Sequence, residues 1–461
     1  MGPLPVLKTS DTDLTGFNKL KKNNFMNRYL INGGKILKGS VRVSGAKNSA
    51  LKIMAASILT DKPVVLRNVP DIEDVRTMAE VLKLLNADVQ FQAGSNILKI
   101  DCSKIDNFEA PYELVRMMRA SVLVAGPLLS RFGYVKVAIP GGCNIGARQI
   151  DIHLKGFEML GAENRIEHGY IISRTLKDFT GAAKNGCKLT GTSINFDFPS
   201  RGATENLMMA AVLAEGRTVI NNAAREAEIS DLANFLNTMG ADVTGAGTDC
   251  ITINGVRNLS GADYTVMPDS IEAGTLLTAA SLCGNGVTVS DAVWSNIEIF
   301  CLKLKDIGIE LEAASGNTIT VNSSILSHSS GKRYKPVYVS TLPYPGFPTD
   351  LQPVIAVLLS VVPGISIITE NVFENRFMYI EELNRMGANI KVDGHHAVIH
   401  GAEKLSAAPV KAFDLRAGAA MVLAGLIAEG QTEVYDIFHI SRGYENFKDK
   451  LSALGADISV A

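Results

Sequence analysis

The sequence predicts a mixed α/β chain built from six copies of one unit, grouped as two domains of three. Three observations predict it. Helical runs dense in small and apolar residues recur six times from residue 41 onward, each followed by a short β-branched run. Each copy then carries an amphipathic helix ending at a corner such as Met239-Gly240-Ala241 or Leu454-Gly455-Ala456, where glycine just past a helix is the expected C-terminal cap. The corners recur every 68 to 79 residues, whereas solenoid repeats run about 20–50 residues. Helices this rich in Ala, Ser and Gly can approach closely, so three of them can bundle inside each domain with sheets outside.

In chain order, residues 1–25 hold Lys8, Lys19, Lys21 and Lys22 with little apolar periodicity and no hydrophobic core. They read as a flexible leader and not as a secretory signal. The folded chain starts at Met26, and the strand at 36–43 is placed with the second domain. The six small-residue helices are expected at 49–59, 118–129, 206–214, 274–282, 352–361 and 418–428. Their strands are expected at 64–66, 135–137, 218–220, 287–289, 365–368 and 432–434. The chain crosses between domains near Val266-Met267-Pro268-Asp269, which gives one domain of 47–267 and another of 26–46 with 268–461.

Composition narrows the function. With 461 residues and a formal charge of -2, nothing points to nucleic acid or an anionic membrane as partner. The cysteines Cys102, Cys143, Cys187, Cys250, Cys283 and Cys301 form no CxxC or zinc-type spacing, so a reducing compartment and no metal are expected. No apolar run reaches the ~18 residues of a membrane span, and a cytoplasmic location is expected.

The chemistry centres on Pro140-Gly141-Gly142-Cys143-Asn144-Ile145-Gly146-Ala147-Arg148. Glycines let such a loop come close to a ligand, and a thiol near a cation is reactive; a lone cysteine in a turn also reads as a small apolar residue. Lys47 and Asn48, in Ser44-Gly45-Ala46-Lys47-Asn48, lead into a helix whose free N–H groups suit phosphate or carboxylate. Arg119, Arg376, Arg416 and Arg442 lie at similar turns. Singly, each reads as a solvated or ion-paired arginine; together with Lys47 they point to a polyanionic substrate in an interdomain cleft. Asp350 closes Phe347-Pro348-Thr349-Asp350 before a helix, and reads equally as an N-cap or as a base facing the cleft. Asp151 and His153 read as residues that cap and pack the helix after the cysteine loop.

From Met26 to its end the chain resembles the enolpyruvyl transferases, and among them the UDP-N-acetylglucosamine 1-carboxyvinyltransferases. The resemblance rests on Ser44 to Asn48, the Pro140 to Arg148 loop, Phe347 to Asp350, Phe373-Glu374-Asn375-Arg376-Phe377 and Arg442-Gly443-Tyr444-Glu445. It implies two inverse α/β domains of three repeats each, with the active site in the cleft between them. The implied reaction moves the enolpyruvyl group of phosphoenolpyruvate to the 3-hydroxyl of UDP-N-acetylglucosamine and releases phosphate, the first committed step of peptidoglycan synthesis. No cofactor or metal is implied.

The same resemblance assigns roles. Cys143 is the general acid and the thiol alkylated by fosfomycin, and Asp350 takes the proton from the sugar hydroxyl. Lys47, Arg148 and Arg442 clamp phosphoenolpyruvate, while Arg119, Arg376 and Arg416 complete the cationic cleft, Arg416 and Lys47 with catalytic roles. Asn48 binds the sugar. The stretches Arg148-Gln149-Ile150-Asp151-Ile152 and Phe198-Pro199-Ser200-Arg201 hold uridine, and Val372 offers its backbone to the nucleotide. The chain departs from some relatives at Leu123, Ser270 and Arg201, where an aromatic, an arginine and an apolar residue respectively are more usual. The alternatives are transfer to shikimate 3-phosphate, against which the cysteine loop argues, and an inactive ligand-binding paralogue.

Overall fold

The computed structural model describes residues 27–92, 94–110, 112, 119–139, 150–175, 189–322, 324–326 and 334–461. Its strands form six four-stranded sheets, all joined in one pattern. In one unit, Ser193–Asn195 runs parallel to Arg217–Asn221, with the helix Arg201–Ala211 between them in sequence. The hairpin of Asp242–Thr244 and Cys250–Asn254 then extends the sheet antiparallel. The helix Ala227–Thr238 leads into that hairpin and ends at the Met239-Gly240 corner, where Gly240 has a φ of 98°.

Three units are completed by distant strands. Asp263–Thr265 pairs in parallel with Val64–Arg67, and Leu37–Arg42 pairs in parallel with Gly284–Ser290. Tyr29–Asn32 lies between Gln431–Tyr435 and Asp457–Val460. The six expected strands are present, and each small-residue run is helical. The short strands ahead of the central helices, Glu109–Ala110, Ser193–Asn195, Tyr338–Ser340 and Pro409–Lys411, were not expected. Two or three residues are too few for a period of two to register. Four helices also begin earlier than their apolar runs, at Lys47, Arg201, Ser270 and Leu415, the last three capped by Ser200, Asp269 and Asp414.

Two hydrophobic cores result. One gathers buried side chains from Ala50 to Val266, and the other joins Ile31 to Val43 with Ile271 to Ile458. The central helices pack on one another inside these cores: Ser270–Cys283, Gln352–Leu359 and Leu415–Ile427 in one half, and Ala125–Phe132 on Arg201–Ala211 in the other. In Ser270–Cys283 every residue after the first is buried, as expected of a helix apolar all round. Its hydroxyls turn inward on their own helix: Thr275, Thr278 and Ser281 donate to the carbonyls of Ile271, Gly274 and Leu277 at 2.7–2.8 Å. Buried polar atoms are thereby satisfied without spacing the helices apart.

The chain passes between the cores at two segments that pair with each other. Gly45 bridges Pro268, the Ala46 N–H donates to the Met267 carbonyl at 2.7 Å, and the Asp269 N–H donates to the Ser44 carbonyl at 2.9 Å. A β-carbon at Gly45 would sit 1.7 Å from the Asn68 carbonyl oxygen, so only glycine fits. Asp269 caps both helices that leave this crossing. Its Oδ1 accepts from the N–H groups of Ile271 and Glu272, and its Oδ2 accepts from that of Lys47 at 3.0 Å.

Close helix packing has a direct test at Gly126. A β-carbon there would lie 2.2 Å from the Asn206 carbonyl oxygen, and the Gly126 N–H already donates to Asn206 Oδ1 at 2.7 Å. Gly126→Ala is expected to lower the unfolding free energy by about 1–3 kcal/mol, read from the urea midpoint; an unchanged midpoint would show that these helices do not need their close approach.

Candidate active site

Lys47 opens the helix Lys47–Ala56, directly after the chain crossing. Its ammonium donates to Asp74 Oδ2 at 2.8 Å, and Arg442 Nε donates to Asp74 Oδ1 at 3.0 Å. Asp74 sits in the first turn of Glu73–Leu84 and Arg442 just past Phe438–Ser441, so one carboxylate ties together cations from both halves. The two partners of the Lys47–Asp74 pair are perturbed for different reasons. Burial pulls the Lys47 pKa down, and Asp74 only partly offsets it because Arg416 and Arg442 repel the same charge. Burial alone would raise Asp74, yet Lys47 and Arg442 outweigh it and hold the carboxyl below its usual range.

Asp350 forms the second cluster. It sits in the short helix Thr349–Leu351, and its side chain caps neither that helix nor the following Gln352–Leu359. Its Oδ1 accepts from Arg376 Nη2 at 3.1 Å, while Oδ2 lies 3.8 Å from Arg416 and 3.9 Å from Arg201. The capping reading of Asp350 therefore gives way to the ionic one. Arg376 is buried and also donates to the Thr349 carbonyl. Arg416 is buried with its guanidinium over the Tyr444 ring, at 5.3 Å from the centroid. Arg201 reaches Asp350 from the opposite half and also pairs with Glu228 at 3.4 Å.

The remaining expected residues fall into three groups. Asn48 is half-buried beside Lys47. Val372 is half-buried too, and its N–H donates to Glu370 Oε1 at 2.9 Å. Ile150, Asp151 and Ile152 begin the helix Asp151–Met159, where Asp151 is exposed and His153 is buried against Asn206. Phe198 is exposed, Pro199 is half-buried, and Ser200 caps the helix that Arg201 opens. Cys143, Arg148 and Gln149 lie outside the described residues. Arg119 begins the short helix Arg119–Val124, but its side chain lies outside the description as well.

Sequence reasoning missed Asp74, Glu228 and Glu205. The first two are acidic residues in a first helical turn, where the helix dipole already explains them. Glu205 lies inside Arg201–Ala211, fully buried and 3.5 Å from Lys52. Burial pushes its carboxyl up to about 7 even though Lys52 pulls the other way. Arg201 did leave a signal, because a cation at the first position of a helix opposes the dipole.

Residues 31–451 match the EPSP synthase (3-phosphoshikimate 1-carboxyvinyltransferase) family. The chain belongs to this family. It is 50% identical over 94% of its length to UDP-N-acetylglucosamine 1-carboxyvinyltransferase 1 of Caldanaerobacter subterraneus subsp. tengcongensis, covering 99% of that protein. It is 52% identical, with the same coverage, to UDP-N-acetylglucosamine 1-carboxyvinyltransferase 2 of Carboxydothermus hydrogenoformans. Among solved structures, the enolpyruvyl transferase NikO from Streptomyces tendae superposes with a TM-score of 0.82 at 24% identity, covering 94% of this chain and 99% of that one. EPSP synthase from Acinetobacter baumannii gives 0.70 at 16% identity, covering 95% of this chain and 100% of that one. The fold is that of the enolpyruvyl transferases, as the six repeats and the motifs led us to expect. No described helix is long and apolar enough to cross a membrane.

The bridging carboxylate sets a pH-dependent test. A depressed folded pKa means that Asp74 contributes its full stability above its unfolded pKa of about 3.9 and loses it as pH falls through the lower folded value. Asp74→Asn, which leaves two cations without their counter-charge, is expected to cost about 3 kcal/mol between pH 5 and 8. In urea unfolding the gap from the parent protein should begin to narrow below about pH 4 and keep narrowing as pH falls toward the folded value; a gap unchanged from about pH 5 down to about pH 2 would deny the pairing its electrostatic origin.

Proposed function

We propose that this chain transfers the enolpyruvyl group of phosphoenolpyruvate to the 3-hydroxyl of UDP-N-acetylglucosamine and releases phosphate. The observation that carries this reading is Asp350 at the meeting point of guanidinium groups from both halves. A carboxylate there can accept a hydroxyl proton beside a cationic surface suited to phosphates. Identity of about half the residues to UDP-N-acetylglucosamine 1-carboxyvinyltransferases selects the acceptor.

In the addition step Asp350 takes the proton of the sugar hydroxyl as its oxygen bonds to C2 of phosphoenolpyruvate. Cys143 delivers a proton to C3, giving a tetrahedral ketal. In the elimination step C3 returns a proton to the Cys143 thiolate and the C2–O bond to phosphate breaks, so the enol ether forms and phosphate leaves. Lys47, Arg148 and Arg442 clamp phosphoenolpyruvate, and Arg119, Arg376 and Arg416 balance the charge that develops. Asn48 and the backbone of Val372 hold the sugar nucleotide, with uridine along Arg148 to Ile152 and Phe198 to Arg201. The reaction belongs to peptidoglycan synthesis in the cytoplasm, and Cys143 is the site for fosfomycin.

Phosphate release from phosphoenolpyruvate is expected with UDP-N-acetylglucosamine and not with shikimate 3-phosphate. The reverse preference would move the chain to the other acceptor, and no release with either would make it a binding protein. Asp350→Asn should lower turnover by about 10²–10⁴-fold while calorimetry still detects the sugar nucleotide. Turnover close to the parent's would remove Asp350 as the base.

A further inference from the structure

Guanidinium groups beside both oxygens of Asp350 each stabilise the carboxylate and weaken it as a base. Moving one of these three described guanidiniums away strengthens the base, and geometry separates them. Arg376 is buried, comes from the same half as Asp350 and is doubly anchored, to Asp350 at 3.1 Å and to the Thr349 carbonyl. Arg416 is buried against the Tyr444 ring. Arg201 makes the longest contact, 3.9 Å, comes from the opposite half, and keeps 31% of its side chain exposed. It also sits at a helix N-terminus, where a cation is disfavoured and an anion welcome.

We propose that Arg201 is a positioning residue with two partners in turn: Asp350 before the nucleotide sugar arrives, and the diphosphate of that nucleotide afterwards. The exchange takes one cation from beside Asp350 only when the acceptor is bound, while Arg416 stays 3.8 Å from Oδ2, so the base gains strength with its substrate in place. A guanidinium suits both partners, since carboxylate and phosphate each accept its forked N–H donors. This rests on the enolpyruvyl-transfer reading. The other described charges around the pair are Arg376 and Arg416 beside Asp350, Glu228, Glu226, Glu205 and Lys52 around Arg201, and Asp269 near Arg416.

The test compares pH profiles of phosphate release for the parent, Arg201→Gln and Arg201→Lys. The acid limb of kcat/KM reports the free enzyme and that of kcat reports the substrate complex. In Arg201→Gln the kcat/KM limb should move to higher pH by about one unit, because the cation 3.9 Å from Oδ2 of the base is gone, while the kcat limb stays. KM for the UDP-sugar should rise about tenfold through the lost charge-assisted contact. Arg201→Lys keeps a cation and should hold the kcat/KM limb near the parent's position. The shift should survive in a Glu205→Gln background, which removes a neighbouring carboxyl that burial pushes up to about 7.

Limbs that both stay, or both move together, overturn the exchange, as does a shift that disappears with Glu205. A parent protein that releases no phosphate defeats the enolpyruvyl-transfer reading itself, and this inference falls with it.

Discussion

Mutual repulsion among cations is the constraint on which the site depends. Lys47, Arg201, Arg376, Arg416 and Arg442 come from both halves of the chain, and like charges at such separations repel strongly in a partly buried setting. Two carboxylates hold them. Asp74 joins Lys47 to Arg442, and Asp350 joins Arg376 and Arg416 to Arg201. Each bridges the two halves, so the groups that gather the positive charge also set how the halves meet.

The architecture supplies the rigidity this needs. The central helices are buried nearly all round and bring their first turns toward the junction. Those first turns are where Lys47, Arg201 and Arg416 sit. Asp269 and Asp414 cap their helices through backbone N–H groups, Asp414 accepting from Arg416 and Ala417 at 2.7 and 2.8 Å. These charged side chains thus stand on elements whose positions the cores decide.

Much of this was legible in the sequence, for identifiable reasons. Six small-residue helices and their corners recur with a period that survives sequence divergence, because each copy must bury one helix and close one sheet. The short edge strands escaped notice because Glu109–Ala110 and its counterparts are defined by a partner strand and not by their own pattern. Asp350 could be read as a cap or as a base from its place before a helix; the structure sets its oxygens beside Arg376, Arg416 and Arg201, and Leu351 holds the cap position of the helix that follows. Asp74 and Glu228 looked like ordinary first-turn acids until their distant partners came into view.

By itself, then, the amino-acid order determined the repeat, the secondary elements and the residue types able to handle phosphates and a proton, because these rest on local periodicity and local chemistry. Tertiary structure alone decided which charges meet. The residues that share Asp74 lie 27 and 368 positions away along the chain, and no local pattern encodes such a pairing. Arg201 is the clearest case: an unusual residue in a linear motif becomes a partner of the candidate base once two halves of the chain are folded against each other.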